Sequence, residues 1–198
     1  MTDTNICELV CTRISHDIVG NIGAVANAVE LLEEGDMEFI DDIISILKTS
    51  STTMSARMKF FRLAFGLNNP NLENDDFVKQ TAQNYLRTIG NKDYPIVLDF
   101  NVKNVAKRKT ALIMIMIMAD LLIRGGNISI WDDNERLITQ IEPEAKLSDD
   151  KFNKLKKALS TDLLDDAVLA PVYALKDMTK GQKINLVYDN GFIKLMVE

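Results

Sequence analysis

The chain has 198 residues, of which 46% are hydrophobic and 26% are charged, and its formal net charge is −6. This length and apolar content suit one medium or two small globular domains, and the acidic balance excludes a general nucleic-acid-binding surface, which needs basic side chains against phosphates. No export signal and no apolar run long enough to span a bilayer are visible, so the sequence predicts a cytoplasmic protein that does not bind membranes.

The first third of the sequence predicts two long helices joined by a short loop. Apolar residues recur at steps of three and four over residues 6–32 and 40–65, and Gly35 lies between the two stretches,. Cys7 and Cys11, one helical turn apart, are interpreted as small core residues. Two helices alone cannot cover both apolar stripes from water. The pattern therefore predicts a helical hairpin that pairs with a second copy into a four-helix bundle, giving a homodimer.

The remaining sequence alternates between helical and strand patterns. In chain order it predicts a helix at 75–89, a strand at 94–100, a helix at 105–124, strands at 127–131 and 136–141, helices at 149–159 and 165–178, and strands at 184–188 and 192–197,. Turns are predicted at 132–134 and, strongly, at 189–191 (DNG). Pro171 indicates that the last helix is kinked or begins there.

This element order predicts a sheet with helices on one face, an α/β sandwich. The chain as a whole is therefore assigned to the α+β class. Its predicted domains are a helical hairpin at residues 1–68 and an α/β sandwich at residues 69–198.

His16 is the single histidine and points away from the apolar seam of the first predicted helix,. Gly20 and Gly23 share that outer face. Each glycine costs a helix about 1 kcal/mol relative to alanine, and a reason for this cost is the close approach of another protein's backbone beside His16. A neutral imidazole attacks phosphorus through one nitrogen while the other donates a hydrogen bond, for which Asp17 is the candidate acceptor. A surface histidine without a function is the simpler alternative.

Residues 12–19 (TRISHDIV) and 27–34 (NAVELLEE) resemble the dimerisation and phosphoacceptor helix of two-component histidine kinases, in which an acidic residue directly follows the histidine. The sequence is most similar to the ChpT-type histidine phosphotransferases of alphaproteobacteria, which join a helical hairpin to a degenerate kinase ATP-binding domain in the element order given above. Residues 124–126 (RGG) before a strand also resemble that family. The resemblance implies that His16 is the phosphoacceptor and Asp17 the assisting carboxylate.

The resemblance also implies the partners. His16 is expected to carry a phosphoryl group from the receiver domain of a hybrid histidine kinase to the receiver domains of response regulators, with Mg²⁺ held by the receiver. The predicted docking positions around the histidine are Thr12, Arg13, Gly20, Asn21 and Gly23. Kinases that are also phosphatases often have threonine or asparagine four residues after the histidine, where this chain has Gly20, so phosphatase activity stays open.

The second predicted domain lacks the features of a working nucleotide site. No D-x-G-x-G segment occurs, and the helix at 105–124 offers Asp120 where a kinase has a magnesium-binding asparagine. Without backbone amides freed by glycines and without a metal ligand, a triphosphate has nothing to replace its hydration. The sequence therefore predicts no cofactor and no metal bound by this chain. Two alternatives remain at this point: a diverged histidine kinase that still binds ATP, and a non-catalytic signalling adaptor.

Overall fold

Two long helices begin the chain and pack against each other as the predicted hairpin. The structure, a computed structural model, describes residues 5–35, 39–67, 69–133, 135–142, 145–161 and 163–198. Helix α1 spans Ile6–Glu33 and helix α2 spans Ile40–Phe65. Asn5 caps α1 by accepting a hydrogen bond from the Cys7 amide,. Both helices match the sequence-based bounds closely, because their apolar spacing continues from end to end.

The rest of the chain forms helices and strands in nearly the predicted order. They are α3 (Asp75–Arg87), β1 (Ile96–Asn101), α4 (Val105–Leu121), β2 (Leu122–Arg124), β3 (Gly126–Asp132), β4 (Leu137–Ile141), β5 (Lys146–Leu147), α5 (Asp149–Ser160), α6 (Ala170–Met178), β6 (Ile184–Asp189) and β7 (Phe192–Val197). Short 3₁₀ helices at Pro70–Glu73 and Ala167–Leu169 precede α3 and α6.

Five strands form one mixed sheet in the order β1-β3-β4-β7-β6. The pair β1–β3 is parallel and the other neighbours are antiparallel. Buried residues alternate along β3, where Ile128 and Ile130 face inward, and along β7, where Ile193 and Leu195 do so,. Helix α4 lies over β3 and β4. A sheet covered on one face by helices, after a helical hairpin, confirms the predicted α+β class.

The end of α4 differs from the prediction. The helix ends at Leu121, and Leu122 already has an extended backbone (φ −73°, ψ 136°). Residues Leu122–Arg124 form β2, which pairs antiparallel with β5. Both strands were missed because two or three residues are too few to show a period-two pattern.

The prediction for the last helix and the final turn is confirmed. Helix α6 begins at Ala170 with Pro171 in its first turn, a position where proline's missing N–H costs nothing,. Asn190 (φ 49°) and Gly191 (φ 82°) both have the positive φ that a tight hairpin turn requires,. The other predicted turn includes Asn134, which lies outside the described residues.

One apolar core runs through both parts of the chain. It includes Leu9 of α1, Phe60 of α2 and Leu195 of β7, with α4 at its centre. Among the described residues, no helix is both long enough and apolar enough to cross a membrane. The predicted division into residues 1–68 and 69–198 stays a prediction, and its boundary residue Asn68 lies outside the described residues.

Asp132, half-buried at the end of β3, holds the chain just before α4. Its two carboxylate oxygens accept hydrogen bonds from the amides of Lys103 (2.7 Å) and Asn104 (2.9 Å). Burial opposes ionisation, but these backbone hydrogen bonds outweigh it and lower the pKa of Asp132 below its usual range,.

We expect Asp132→Ala to lower the free energy of unfolding by about 1–3 kcal/mol at neutral pH, because two amides lose a charged acceptor. Since the folded-state pKa is lowered, this contribution is present above the unfolded-state pKa and is lost as pH falls through the folded-state pKa. Urea denaturation at a series of pH values measures it, with Asp132→Asn as the milder control. A difference from wild type that stays constant into acid would contradict the assignment.

Candidate functional site

His16 lies in the middle of α1 with its side chain directed into solvent. The side chain is 84% exposed. Thr12, Gly20 and Gly23 are also exposed and follow the same stripe of the helix at intervals of three or four residues,. A Cβ added at either glycine would meet nothing within 4 Å. The sequence-predicted surface around His16 is therefore open and nearly flat on its C-terminal side.

Asp17 is brought beside His16 by the helix and is much less exposed. Its side chain is 16% exposed, and its Oδ1 lies 3.6 Å from Nδ1 of His16. This distance is slightly longer than a hydrogen bond, so a small rotation of the imidazole brings Nδ1–H into bonding range. The second nitrogen, Nε2, is then left free to react. The two residues predicted to carry the chemistry are therefore brought together.

The other oxygen of Asp17 is held by Arg13, one helical turn earlier. Nε of Arg13 donates to Oδ2 of Asp17 at 3.0 Å. The rest of the guanidinium reaches α4, where its two terminal nitrogens bind the carboxylate of Asp120 at 3.0 and 2.8 Å. One of them also donates to the Val168 carbonyl oxygen at 2.8 Å. Arg13 thus links the helix that carries His16 to two elements of the C-terminal part of the chain.

The prediction that Arg13 contacts a partner stays a prediction, and in this structure its side chain is only 11% exposed and bound within the chain. Burial alone would lower the pKa of Arg13, but the hydrogen bonds and charges of Asp120 and Asp17 outweigh it and raise that pKa. Burial raises the pKa of Asp120, whereas the hydrogen bond from Arg13 favours its ionised form. The pair is therefore a charged link in a largely water-excluded position.

Arg57 of α2 holds Asp17 from another direction. It donates to the main-chain oxygen of Asp17, to the Thr88 hydroxyl at 3.1 Å and to the Thr88 carbonyl at 3.2 Å. Thr88 caps the C-terminus of α3. Sequence reasoning missed Arg57. One feature of the sequence could have identified it: Arg57 occupies a position of the apolar stripe of α2, between Met54 and Phe61.

The remaining sequence-based assignments on α1 have mixed outcomes. Asn21 is half-buried, one step around the helix from the open stripe. Cys7 and Cys11 are exposed, so their interpretation as core residues is wrong. The core side of α1 is instead occupied by residues such as Leu9, which packs inward one turn before Arg13.

Asp120 lies at the edge of a small cavity between α4, α5 and the start of α6. The cavity beside it has a volume of about 30 Å³ and is lined by Asp120, Lys151 and mainly apolar side chains. Both oxygens of Asp120 are already bound by Arg13. In the part of the chain that the structure describes, no group of three or more His, Cys, Asp or Glu side chains is placed to hold a metal ion.

Comparison with known proteins identifies similar molecules. No family model matches the chain. Protein phosphotransferase ChpT of Brucella abortus (strain 2308) is 47% identical over 58 residues, which is 29% of this chain and 27% of that relative's length. A solved structure of a bacterial phosphotransferase matches with a TM-score of 0.76 and 25% identity, covering 100% of this chain and 98% of that one. The Acinetobacter baumannii histidine kinase AdeS matches with a TM-score of 0.42 and 13% identity, over 92% of this chain and 95% of the other.

Proposed function

We propose that this chain, a ChpT-type protein, is a phosphorelay histidine phosphotransferase whose His16 carries the phosphoryl group. The observation that supports this most directly is the pairing of an exposed imidazole with a held carboxylate: Nδ1 of His16 lies 3.6 Å from Asp17, while the side chain as a whole is 84% exposed. An imidazole so placed reacts through Nε2 with a group presented by another protein. The likeness to a bacterial phosphotransferase over the whole chain supports the same activity.

The transfer exchanges one bond to phosphorus for another. The lone pair of Nε2 attacks the phosphorus of an aspartyl phosphate on a receiver domain, the P–O bond breaks, and the aspartate leaves as a carboxylate. The ring becomes positively charged and keeps its proton on Nδ1. Asp17 accepts a hydrogen bond from that proton and stabilises the charge that develops. The reverse exchange delivers the phosphoryl group to a second receiver.

The receivers supply what this chain does not. Their acidic pockets hold the Mg²⁺ that neutralises the phosphoryl oxygens during transfer. We assign docking to the exposed stripe of Thr12, Gly20 and Gly23 with Asn21 at its edge, because these residues surround His16 without crowding it. The proposed partners are a hybrid kinase receiver as donor and response-regulator receivers as acceptors, meeting the chain in the cytoplasm.

The chain is proposed to bind no nucleotide. Asp120 supports this proposal. It stands at the position where a kinase has its metal-binding residue, and both of its oxygens already accept hydrogen bonds from Arg13. The cavity beside it, with a volume of about 30 Å³, is lined mainly by apolar side chains. These contacts weigh against a diverged kinase. The reactive placement of His16 beside Asp17 weighs against a purely non-catalytic adaptor.

The test is transfer of radiolabelled phosphate from purified, phosphorylated receiver domains to the chain in the absence of ATP. Label on the chain that is stable in alkali and lost in acid is the expected result, since it identifies a phosphorus–nitrogen bond. A parallel incubation with labelled Mg-ATP is expected to leave the chain unlabelled. No label from any receiver tested, with the chain folded, would overturn the proposal.

The chain is further proposed to be a homodimer through its hairpin. Apolar side chains stay exposed along one side of α1, among them Val19 (61%), Ile22 (55%) and Val29 (43%). Ile44 and Met58 of α2 are exposed as well. A second hairpin would remove this apolar surface from water and complete a four-helix bundle. Because Val19 is the member of this apolar surface nearest to His16 around the helix, the proposed dimer leaves the histidine at the rim of the bundle.

We expect Ile22→Glu to shift the protein from dimer to monomer, because a carboxylate in an apolar helix interface loses its hydration. The matched control is Ile123→Glu, since Ile123 is exposed to a similar extent (53%) but lies on β2. Sedimentation equilibrium measures the mass of both variants. Equal masses for Ile22→Glu and the wild type would contradict the assigned interface.

A further inference from the structure

We infer that Arg13 is a positioning residue: anchored by Asp120, it holds the Asp17 carboxylate in the orientation that keeps the proton of His16 on Nδ1 and directs Nε2 to the phosphoryl group. This inference deepens the proposed function and rests on it. It also gives the C-terminal part of the chain a role at the histidine, because Asp120 and Val168 lie there.

The guanidinium of Arg13 is fixed from the side away from His16. Its terminal nitrogens make a two-bond fork with Asp120 and a third bond to the Val168 carbonyl oxygen. A planar guanidinium held at three points has one remaining direction for its Nε–H, and that direction is taken by Oδ2 of Asp17 at 3.0 Å,. The orientation of Arg13 is therefore set by α4 and the 3₁₀ helix before α6, and Asp17 follows it.

The carboxylate of Asp17 divides its oxygens between two neighbours. Oδ2 is bound to Arg13, and Oδ1 faces Nδ1 of His16 at 3.6 Å. Because a carboxylate is planar, fixing one oxygen fixes the direction of the other. The main-chain oxygen of the same residue is held separately by Arg57. Asp17 is thus restrained at backbone and side chain, whereas His16 beside it is free in solvent.

This arrangement selects the reactive form of the imidazole. A neutral histidine carries its proton on either nitrogen, and a fixed acceptor facing Nδ1 favours the form with the proton there. The lone pair then lies on Nε2, the nitrogen that points away from Asp17. Without Arg13 the carboxylate gains rotational freedom, so the direction of its oxygen towards Nδ1 of His16 is no longer fixed.

If the ion pair between Arg13 and Asp120 were purely structural, replacing it would leave the transfer rate and the tautomer of His16 unchanged. A buried ion pair can often be exchanged for apolar side chains without loss of stability, whereas removing one partner alone is strongly destabilising. The informative variant therefore changes both residues, Arg13→Met with Asp120→Leu. It keeps an apolar contact between α1 and α4 but leaves Asp17 without its cation. Arg13→Lys is the second variant, because one ammonium cannot reproduce the fork on Asp120 and the bond to Asp17 together.

The experiment measures two properties of the 198-residue chain and of both variants. The first is the rate of transfer from a phosphorylated receiver, with melting temperature as the measure of folding. The second is the averaged ¹⁵N chemical shifts of the imidazole nitrogens at a pH where the ring is neutral, which report the fraction protonated on Nδ1. The chain has a single histidine, so these signals belong to His16.

We expect the double variant to fold and to transfer about tenfold more slowly, with a smaller fraction of Nδ1–H, and Arg13→Lys to change the fraction in the same direction. Wild-type rates and wild-type tautomer fractions in both folded variants would overturn the inference. The NMR measurement needs no phosphoryl donor. Failure of the wild type to accept phosphate therefore counts against the proposed function, and an unchanged tautomer counts against the role of Arg13.

Discussion

Replacing His16 with alanine is expected to abolish phosphoryl transfer, lowering labelling of the chain by more than about a thousandfold, to background. The nucleophilic nitrogen is removed, and the single histidine of the sequence leaves no second imidazole to replace it. The carboxylate of Asp17 cannot substitute, because it is largely buried and its two oxygens face Arg13 and the missing imidazole. The measurement is acid-labile label after incubation with a phosphorylated receiver, in wild type and His16→Ala.

His16→Ala is well suited to this comparison because the substitution is not expected to change the stability of the fold. The His16 side chain is 84% exposed, and substitutions at such surface positions change the free energy of unfolding by about 0.5 kcal/mol or less,. His16→Ala should therefore melt like the wild type. Label that persists on a folded His16→Ala protein would show that the acceptor lies elsewhere.

A reconstituted relay with the same variant separates a phosphotransferase from a non-catalytic adaptor. If the chain relays phosphate, His16→Ala binds receivers but blocks the relay between them. If the chain only brings partners together, the variant supports signalling as well as the wild type does. A relay reconstituted from donor receiver, chain and acceptor receiver distinguishes these results, because the adaptor needs no reactive side chain at position 16.

The sequence predicted the exposed position of His16, the adjacent carboxylate of Asp17 and the open stripe around them, because all three depend on local information. The position of a residue around a helix follows from its number, so the exposure of Thr12, Gly20 and Gly23 could be predicted. The fold class could be predicted too, since long helices and alternating strands leave periodic patterns. The strands β2 and β5 could not, because their pairing joins short segments separated along the chain.

The burial of Arg13 could not be predicted from helical periodicity alone. If α1 is described as having one side that faces the bundle and one side that faces solvent, Arg13 lies with His16 on the solvent side. In the structure, α1 also packs against α6 and the 3₁₀ helix before it, which covers a further side. Leu9, Arg13 and Asp17, spaced by four residues, lie on that covered side. The contact spans more than a hundred residues of sequence, and its only local sign is Asp120, a lone carboxylate directly after the apolar run of residues 111–119.

Phe60→Ala is expected to have the largest effect on stability, because Phe60 joins the hairpin to the rest of the core. Its ring is fully buried and stacks on Tyr85 of α3, with ring centroids 3.9 Å apart and planes 10° apart. Removing a buried phenylalanine costs about 3–5 kcal/mol of unfolding free energy, from lost transfer energy and the cavity left behind. That is a large share of the roughly 5–15 kcal/mol by which a domain is stable.

Urea denaturation of Phe60→Ala, with Phe60→Leu as the control that keeps most of the apolar volume, also tests how the chain is divided. A core that includes Leu9, Phe60 and Leu195 predicts one cooperative transition, which Phe60→Ala moves as a whole to lower urea,. If residues 1–68 and 69–198 unfolded independently, two transitions would appear and the variant would move them unequally. A single shifted transition would show that the helix carrying His16 is stable only together with the α/β sandwich that anchors Arg13.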